Sequence, residues 1–348
     1  MLRRLREHLC GEQQPAAPAA TPASADENRV GASQHAPLAP RLLLPESEEP
    51  DTNPLLSAEE IASFKRDGYV LKRWAGLQYA GASPPPLEAV RDYVWATSFP
   101  RSIVREDPRT WTDAHLQPDW QAEVRPRGDE PDAVTASGNS PGWKCHQAGL
   151  EPWIIGMLHS NDWVVGVVEQ MVGGPLRDAA RLRGVYNLFP SSDRAAAMKL
   201  GPHHDTCDSQ VIVMMLVDDV PPHAGGFTVW PGSHAPLYHA HTDEWHWSPT
   251  DENQTVFDEL VETIQPAEIV GRAGDVCFMH GRTIHSAGQH YSPDVLRMAM
   301  FADFQQQRPS YPEDTMHPSS NKLQWWHDSR EYLEPSPVHK DMWASWLI

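Results

Sequence analysis

The chain has 348 residues, with 47 acidic side chains against 28 basic ones and a formal net charge of −19. That balance excludes nucleic acid and anionic membrane surfaces as expected partners, because phosphate binding needs a basic face. No apolar run approaches the roughly 18 residues that a bilayer span needs, while a 40% hydrophobic content is enough to bury a core.

The basic start, Met1-Leu2-Arg3-Arg4-Leu5-Arg6, lacks the apolar stretch of a secretory leader, and Glu7 and Glu12 make it a poor mitochondrial presequence. Cytoplasm is the expected compartment. Cys10, Cys145, Cys207 and Cys277 show neither a C-x-x-C pair nor a regular spacing, so no disulfide framework or zinc knuckle is indicated. Residues 1–53, rich in Ala, Pro, Ser and Glu, are read as a disordered tail, because they bury too little to offset their ordering entropy.

Order is expected from Leu56. Ser57 followed by Glu60 is a capping-box pattern, predicting a helix that stops at Asp67-Gly68, with a strand at Tyr69-Val70-Leu71. A second helix is predicted over 87–97. Residues 105–150 are loop-rich and carry Trp111, Trp120 and Trp143. Residues 162–172 read as a helix capped at Asp162 and ended by Gly173-Gly174.

From residue 183 the pattern changes to short β-rich runs: 185–189, 211–217, 227–230, 267–270, 275–279 and 295–304. Such runs, separated by Gly, Pro and Asp, predict a mainly β fold with flanking helices, an antiparallel sandwich or barrel. Residues 236–265, with Trp245 and Trp247, read as an insertion between two strands. Residues 306–348, with Trp325, Trp326, Trp343 and Trp346, read as an extension that docks onto the core. The expected organisation is therefore one domain over 54–348: a helical, lid-forming part (54–182), a β core (183–305) and the extension. The fourteen tryptophans are divided between core and cavity lining, with Trp111, Trp120, Trp143, Trp245 and Trp247 as lid candidates.

Chemistry concentrates in the β half. His203-His204-Asp205, placed on a strand, puts His203 and Asp205 on one face by period-two alternation. A distant His285 would complete a set of two imidazoles and one carboxylate, which suits Fe(II) and leaves positions open for a cosubstrate and oxygen. Arg297 is the lone charge in the apolar run Val295-Leu296-Arg297-Met298-Ala299-Met300. A buried guanidinium there calls for an anionic partner such as a dicarboxylate; an internal salt bridge or a rim position is the plain alternative. Arg101, Arg105, Arg125 and Arg127 are either a solvated loop or contacts for an anionic substrate.

These residues, taken with Gly226-Phe227-Thr228-Val229-Trp230-Pro231-Gly232-Ser233-His234 and Ala273-Gly274-Asp275-Val276-Cys277-Phe278-Met279-His280, resemble the phytanoyl-CoA dioxygenase family. The opening Leu56 to Arg73 is similar to that family's first helix and strand. The likeness covers roughly residues 55 to 305 and implies a double-stranded β-helix (a jelly-roll, cupin-like barrel) that uses Fe(II), 2-oxoglutarate and O2. It implies iron ligation by His203, Asp205 and His285, and capture of the distal 2-oxoglutarate carboxylate by Arg297. Asn187 resembles a cosubstrate-contacting asparagine of the family, and Thr228 and Ser286 are further candidates for hydrogen bonds to 2-oxoglutarate. His280 and Trp230 are candidates for orienting the ligands, while His234 is read as bonding backbone instead of metal, and Asp275 as bonding local backbone. The chain departs from a family pattern at Ala287, where a serine would stand two residues after the distal histidine.

The reaction implied is oxidation of a small organic molecule, with hydroxylation favoured over halogenation because residue 205 is a carboxylate and frees no site for a halide. A noncatalytic metal-binding barrel and a cupin-like metalloenzyme independent of 2-oxoglutarate are the competing readings. No basic cluster for nucleotide phosphates is visible, so phytanoyl-CoA itself is not the expected substrate.

Overall fold

The apolar runs of the second half sort into two facing sheets. The computed structural model describes residues 38–43, 53, 55–73, 87–99, 101–111, 133–135, 142–179, 181–191, 200–205, 209–240, 251–307, 322–323, 341–344 and 346–348, all within one unit, Ser33–Ile348. The smaller sheet orders β1 (Arg41–Leu43), β10 (Ala267–Ile269), β9 (Phe227–Val229), β12 (His285–Ala287) and β7 (Leu200–His203). The larger orders β2 (Tyr69–Lys72), β11 (Val276–His280), β8 (Val211–Leu216), β13 (Arg297–Phe304), β6 (Gly184–Leu188), β4 (Gly142–Cys145) and β3 (Ala133–Thr135). A short parallel pair joins β5 (Asp178–Ala179) to β14 (Lys322–Leu323).

From β6 to β13 the chain passes back and forth between the sheets. It visits the larger at β6, β8, β11 and β13 and the smaller at β7, at β9 and β10, and at β12. Pairing within this set is antiparallel. This is the jelly-roll path of a double-stranded β-helix; the short β-rich runs predict only an antiparallel sandwich or barrel, and the family resemblance implies this path.

Period-two alternation gives each sheet face its task. On β8, Ile212, Met214 and Leu216 face the smaller sheet and pack with Phe227, Val229, Ala267, Ile269, Ala299 and Phe301. Val211, Val213 and Met215 face the opposite way and join the helices. Both faces of β8 and β13 are buried, which is why these strands read as continuous apolar runs instead of alternating ones.

The helices cover the outer face of the larger sheet. In α1 (Ala58–Asp67) the Ser57 hydroxyl accepts from the Glu60 N–H at 3.2 Å, and the Glu60 carboxylate accepts from the Ser57 N–H at 2.7 Å. Gly68, at φ 80°, ends the helix in the left-handed region. Helix α2 (Leu87–Thr97) has the expected bounds. The next pair is α3 (Pro152–His159) and α4 (Asp162–Val172). The cap of α4 is Asn161, whose side-chain oxygen accepts from the N–H groups of Trp163 and Val164. Asp162 is instead the first helical residue, where its charge favours the helix N-terminus. The insertion between β9 and β10 holds α5 (His234–Ala240) and α6 (Asp251–Thr263). Trp230, Leu237, Phe257 and Ile284 form a separate apolar cluster there.

Two expectations need correction. The segment read as a wholly disordered tail contributes β1, whose Arg41–Leu43 pairs in parallel with Ala267–Ile269. A local Leu-Leu-Leu run at 42–44 was outweighed by the average composition around it. Trp143 and Trp111, expected in a lid, are packing residues. Trp143 is buried and donates its indole N–H to Ser98 Oγ at 2.8 Å, and Trp111 lies 5.7 Å from Trp95. Trp120, Trp245, Trp247, Trp325 and Trp326 lie outside the described residues. From the extension, Trp343 and Trp346 each sit 5.8 Å from Phe64 of α1.

Candidate functional site

Strand register brings the two distant histidines together. His203 ends β7 and is paired across the sheet with His285, which begins β12. Directly opposed residues of an antiparallel pair put their side chains side by side, and the two imidazole centroids are 4.4 Å apart. Asp205 is not on the strand. It lies two residues past the end of β7, and its carboxylate still reaches both rings: Oδ2 is 3.6 Å from His285 Nε2, and Oδ1 is 4.0 Å from His203 Nε2. One ligand atom from each of the three lies within 4.8 Å of the others.

The protonation states suit a cation. His203 Nδ1 is 2.9 Å from the Gly201 carbonyl, and His285 Nδ1 is 2.9 Å from the Thr283 carbonyl. Each contact places the imidazole proton on Nδ1 and leaves the Nε2 lone pair facing Asp205. Burial lowers the pKa of both imidazoles, and for His203 the neighbouring His285 lowers it further. Burial works against the charged Asp205, but the Arg183 guanidinium beside it acts the other way, and the carboxyl is held well below the usual range. Two neutral imidazoles and one carboxylate are the donor set that ferrous iron accepts at an open site. The fit is good.

Arg297 opens β13. The even spacing along the strand puts it on the same inward face as Ala299 and Phe301. It is buried, donating from Nε to the Gly225 carbonyl at 3.0 Å and from Nη1 to the Tyr186 carbonyl at 3.2 Å. No carboxylate pairs with it among the described residues. Burial alone lowers its pKa, to about 9. An enclosed guanidinium held only by neutral carbonyls is a receptor for an anion. The internal-salt-bridge alternative is therefore not supported. Aromatic rings stand beside the triad: Phe227 lies 5.3 Å from His285 and 5.6 Å from Phe301, which shares the inward face of β13 with Arg297.

Three other candidates face elsewhere. Ser286 pairs with Thr228, and Thr228 with Glu268. These positions alternate with His285, Phe227, Val229, Ala267 and Ile269, so they point away from the triad. Thr228 Oγ1 donates to the Gly226 carbonyl at 3.2 Å. Asn187 pairs with Met298 and Trp143, on the helix-facing side of the larger sheet, and donates to the carbonyls of Trp143 and Val185. Its neighbour Tyr186 takes the inward face, 5.0 Å from Phe301. A one-residue difference in register moves a side chain to the other face, and the motifs alone do not reveal register. Asn187, Thr228 and Ser286 thus lose their place as cosubstrate contacts.

His280 and Trp230 also stand apart from the triad. His280 Nδ1 accepts from the Arg282 N–H at 3.0 Å and its ring stacks on Trp346 at 5.1 Å. Trp230 is in the α5–α6 cluster. Asp275 does bond local backbone, accepting from Arg272 N–H, while the backbone contact of His234 is a distant one, at the Lys65 carbonyl of α1. Arg105 is paired with Asp92 at 2.6 Å; Arg125 and Arg127 lie outside the described residues.

Two residues that the motifs did not disclose complete the centre. Arg183 donates from Nη1 to Asp205 Oδ2 at 2.6 Å, and its Nε and Nη2 fork onto Asp303 of β13 at 2.8 and 2.5 Å. Asp303 was open to the criterion that found Arg297, a lone charge in an apolar strand. Arg183 was not, because its direction depends on the backbone of Gly184.

No curated protein matches the chain significantly in sequence. Among solved structures it is similar to the non-heme alpha-ketoglutarate-dependent carbocyclase SnoK from nogalamycin biosynthesis, at 18% identity over 84% of this chain and 97% of that one, TM-score 0.46. The epimerase SnoN of the same biosynthesis gives 20% identity over 82% and 95%, TM-score 0.42. EctD from S. alaskensis, crystallised with 2-oxoglutarate and 5-hydroxyectoine, gives 16% identity over 88% and 94%, TM-score 0.43. The sequence profile described as Phytanoyl-CoA dioxygenase (PhyH) matches residues 52–299, a span that includes His203, Asp205, His285 and Arg297. With well over half of its length inside that match, the chain belongs to the phytanoyl-CoA dioxygenase family.

Proposed function

We propose that the protein is an Fe(II)- and 2-oxoglutarate-dependent dioxygenase that hydroxylates a small organic molecule and releases succinate and CO2. The observation that carries this reading is a neutral two-histidine, one-carboxylate set together with a buried guanidinium, on the inward face of β13, that no carboxylate pairs among the described residues. In the proposed roles, His203, Asp205 and His285 hold the iron and Arg297 takes the distal carboxylate of 2-oxoglutarate. Bound iron supplies the activation of O2 that is coupled to decarboxylation of the cosubstrate.

The chain's own part is geometric and electrostatic. The cross-strand pair of His203 and His285 fixes two ligands on rigid strands, and their Nδ1 contacts hold the ring orientation. Arg297 sets the direction from which the dicarboxylate approaches. Phe227, packed against Phe301, gives His285 an apolar neighbour that keeps water from that side of the metal ligands. A carboxylate at position 205 leaves no vacated ligand position for a halide, which supports hydroxylation.

The test is succinate formation. Iron-loaded protein should convert 2-oxoglutarate to succinate, faster with at least one member of a small-molecule panel, and His285→Ala should abolish the conversion. Folded, iron-loaded protein that forms no succinate under any of these conditions would contradict the proposal.

A further inference from the structure

Asp205 is the one member of the triad that no strand holds. It lies past the end of β7, and among the described residues the only hydrogen bond to its carboxylate comes from Arg183. Arg183 itself is fixed at several points. Its backbone N–H donates to the Phe301 carbonyl at 3.0 Å, and its carbonyl lies 3.0 Å from His146 Nδ1. One edge of its guanidinium, Nε and Nη2, grips both oxygens of Asp303, which also accepts from Ser209 Oγ at 2.6 Å. Arg183, Asp303 and Ser209 are all buried. With that edge fixed on Asp303, the planar group is held in orientation, and its Nη1 donates to Asp205 Oδ2 at 2.6 Å.

The backbone explains how Arg183 gets there. By parity with Val185 and Asn187 it would face the helices. Gly184 stands between, at φ 123°, and breaks the alternation, so the side chain turns inward to Asp303. No side chain fits at that glycine, since a Cβ there would lie 2.3 Å from the Cys145 carbonyl oxygen. Asp303 is six residues from Arg297 on β13. The same inward face therefore carries the anion receptor at one end and the brace for the metal-ligating carboxylate at the other.

We propose that Arg183, braced by Asp303, is a positioning residue for the metal centre. It engages one oxygen of Asp205, so that the carboxylate meets the metal through a single oxygen and leaves the remaining coordination positions open. The proposal rests on the metal-site reading given above. It assigns Arg183 no contact with substrate.

Anaerobic titration with Co(II), read by its visible ligand-field spectrum, tests this without turnover. Loss of a residue that orients a metal ligand weakens metal affinity by about 10- to 100-fold. Arg183→Lys keeps the charge but loses the fork, and Asp303→Asn keeps the shape but removes the brace. Each is expected to weaken Co(II) binding within that range and to change the spectrum, while a merely structural role would lower the melting temperature and leave the folded fraction's affinity and spectrum alone. A folded variant of either kind with affinity within threefold of wild type and an unchanged spectrum would overturn the proposal. So would a crystal structure of the Co(II)-loaded native protein in which Asp205 binds through both oxygens, a measurement that needs no variant to fold. Failure of the native protein to bind Co(II) at these residues would overturn both this proposal and the metal-site reading, which separates the two cases.

Discussion

Glu268 shows how one side chain reports the environment of a sheet face. It lies on β10 and is buried, with Oε1 accepting from the Gly226 N–H at 3.1 Å. Burial pushes its pKa up to about 7 from an ordinary 4.5. A carboxyl whose folded pKa is raised contributes stability that is full below the unfolded pKa and is lost as pH rises through the folded value. The window here is pH 4.5 to 7. Glu268→Gln removes the ionisation. Its stability relative to wild type should therefore rise between pH 5 and pH 8, by on the order of 2–3 kcal/mol, as read from denaturation curves at both values. Parallel pH dependences for the two proteins would contradict this account. At this scale the sequence was legible where a charge stood alone in an apolar run, as with Arg297. It was not legible for Thr228 and Ser286, which alternate with the right residues and so fall on the wrong face.

At the scale of elements, the site is made by strand ends meeting. The pairing of β7 with β12 sets His203 against His285, while β6 and β13 together place Arg183, Asp303 and Arg297. The capping box of α1 and the helix over 87–97 were readable because they depend on neighbours in sequence. The end of β7 before Asp205 and the inward turn of Arg183 depend on a backbone conformation that periodicity does not carry. Gly184 is where that dependence can be measured. Gly184→Ala must strain a left-handed position and displace the Cys145 carbonyl, so a loss of at least about 2 kcal/mol is expected, together with weaker metal binding. Gly156, in the interior of α3, has nothing within 4 Å of a Cβ; Gly156→Ala should gain roughly 0.5–1 kcal/mol from helix propensity. Chemical denaturation of the two variants checks both signs, and equal effects would contradict the assigned role of Gly184.

Across the whole molecule, composition and charge set the partner class. A net charge of −19 disfavours polyanions, yet it leaves room for a small dianion met by one enclosed arginine. That the core is an antiparallel β sandwich or barrel was legible because its strands are short, apolar and regularly punctuated, and the jelly-roll path through the family's motifs; β1 was not legible, being three residues inside a polar stretch. The account's central claim is that one interior holds iron at His203, Asp205 and His285 and anchors 2-oxoglutarate at Arg297. The most direct measurement is an anaerobic titration of the protein with Fe(II) and then 2-oxoglutarate, following the weak visible charge-transfer band of the iron–2-oxoglutarate chelate. The account predicts a saturable band in the native protein and none in His285→Ala. In Arg297→Ala the 2-oxoglutarate concentration for half-saturation should rise by at least roughly 30-fold, the equivalent of about 2 kcal/mol for a lost buried charge pair. Absence of the band in folded native protein, or an unchanged midpoint in Arg297→Ala, would contradict it.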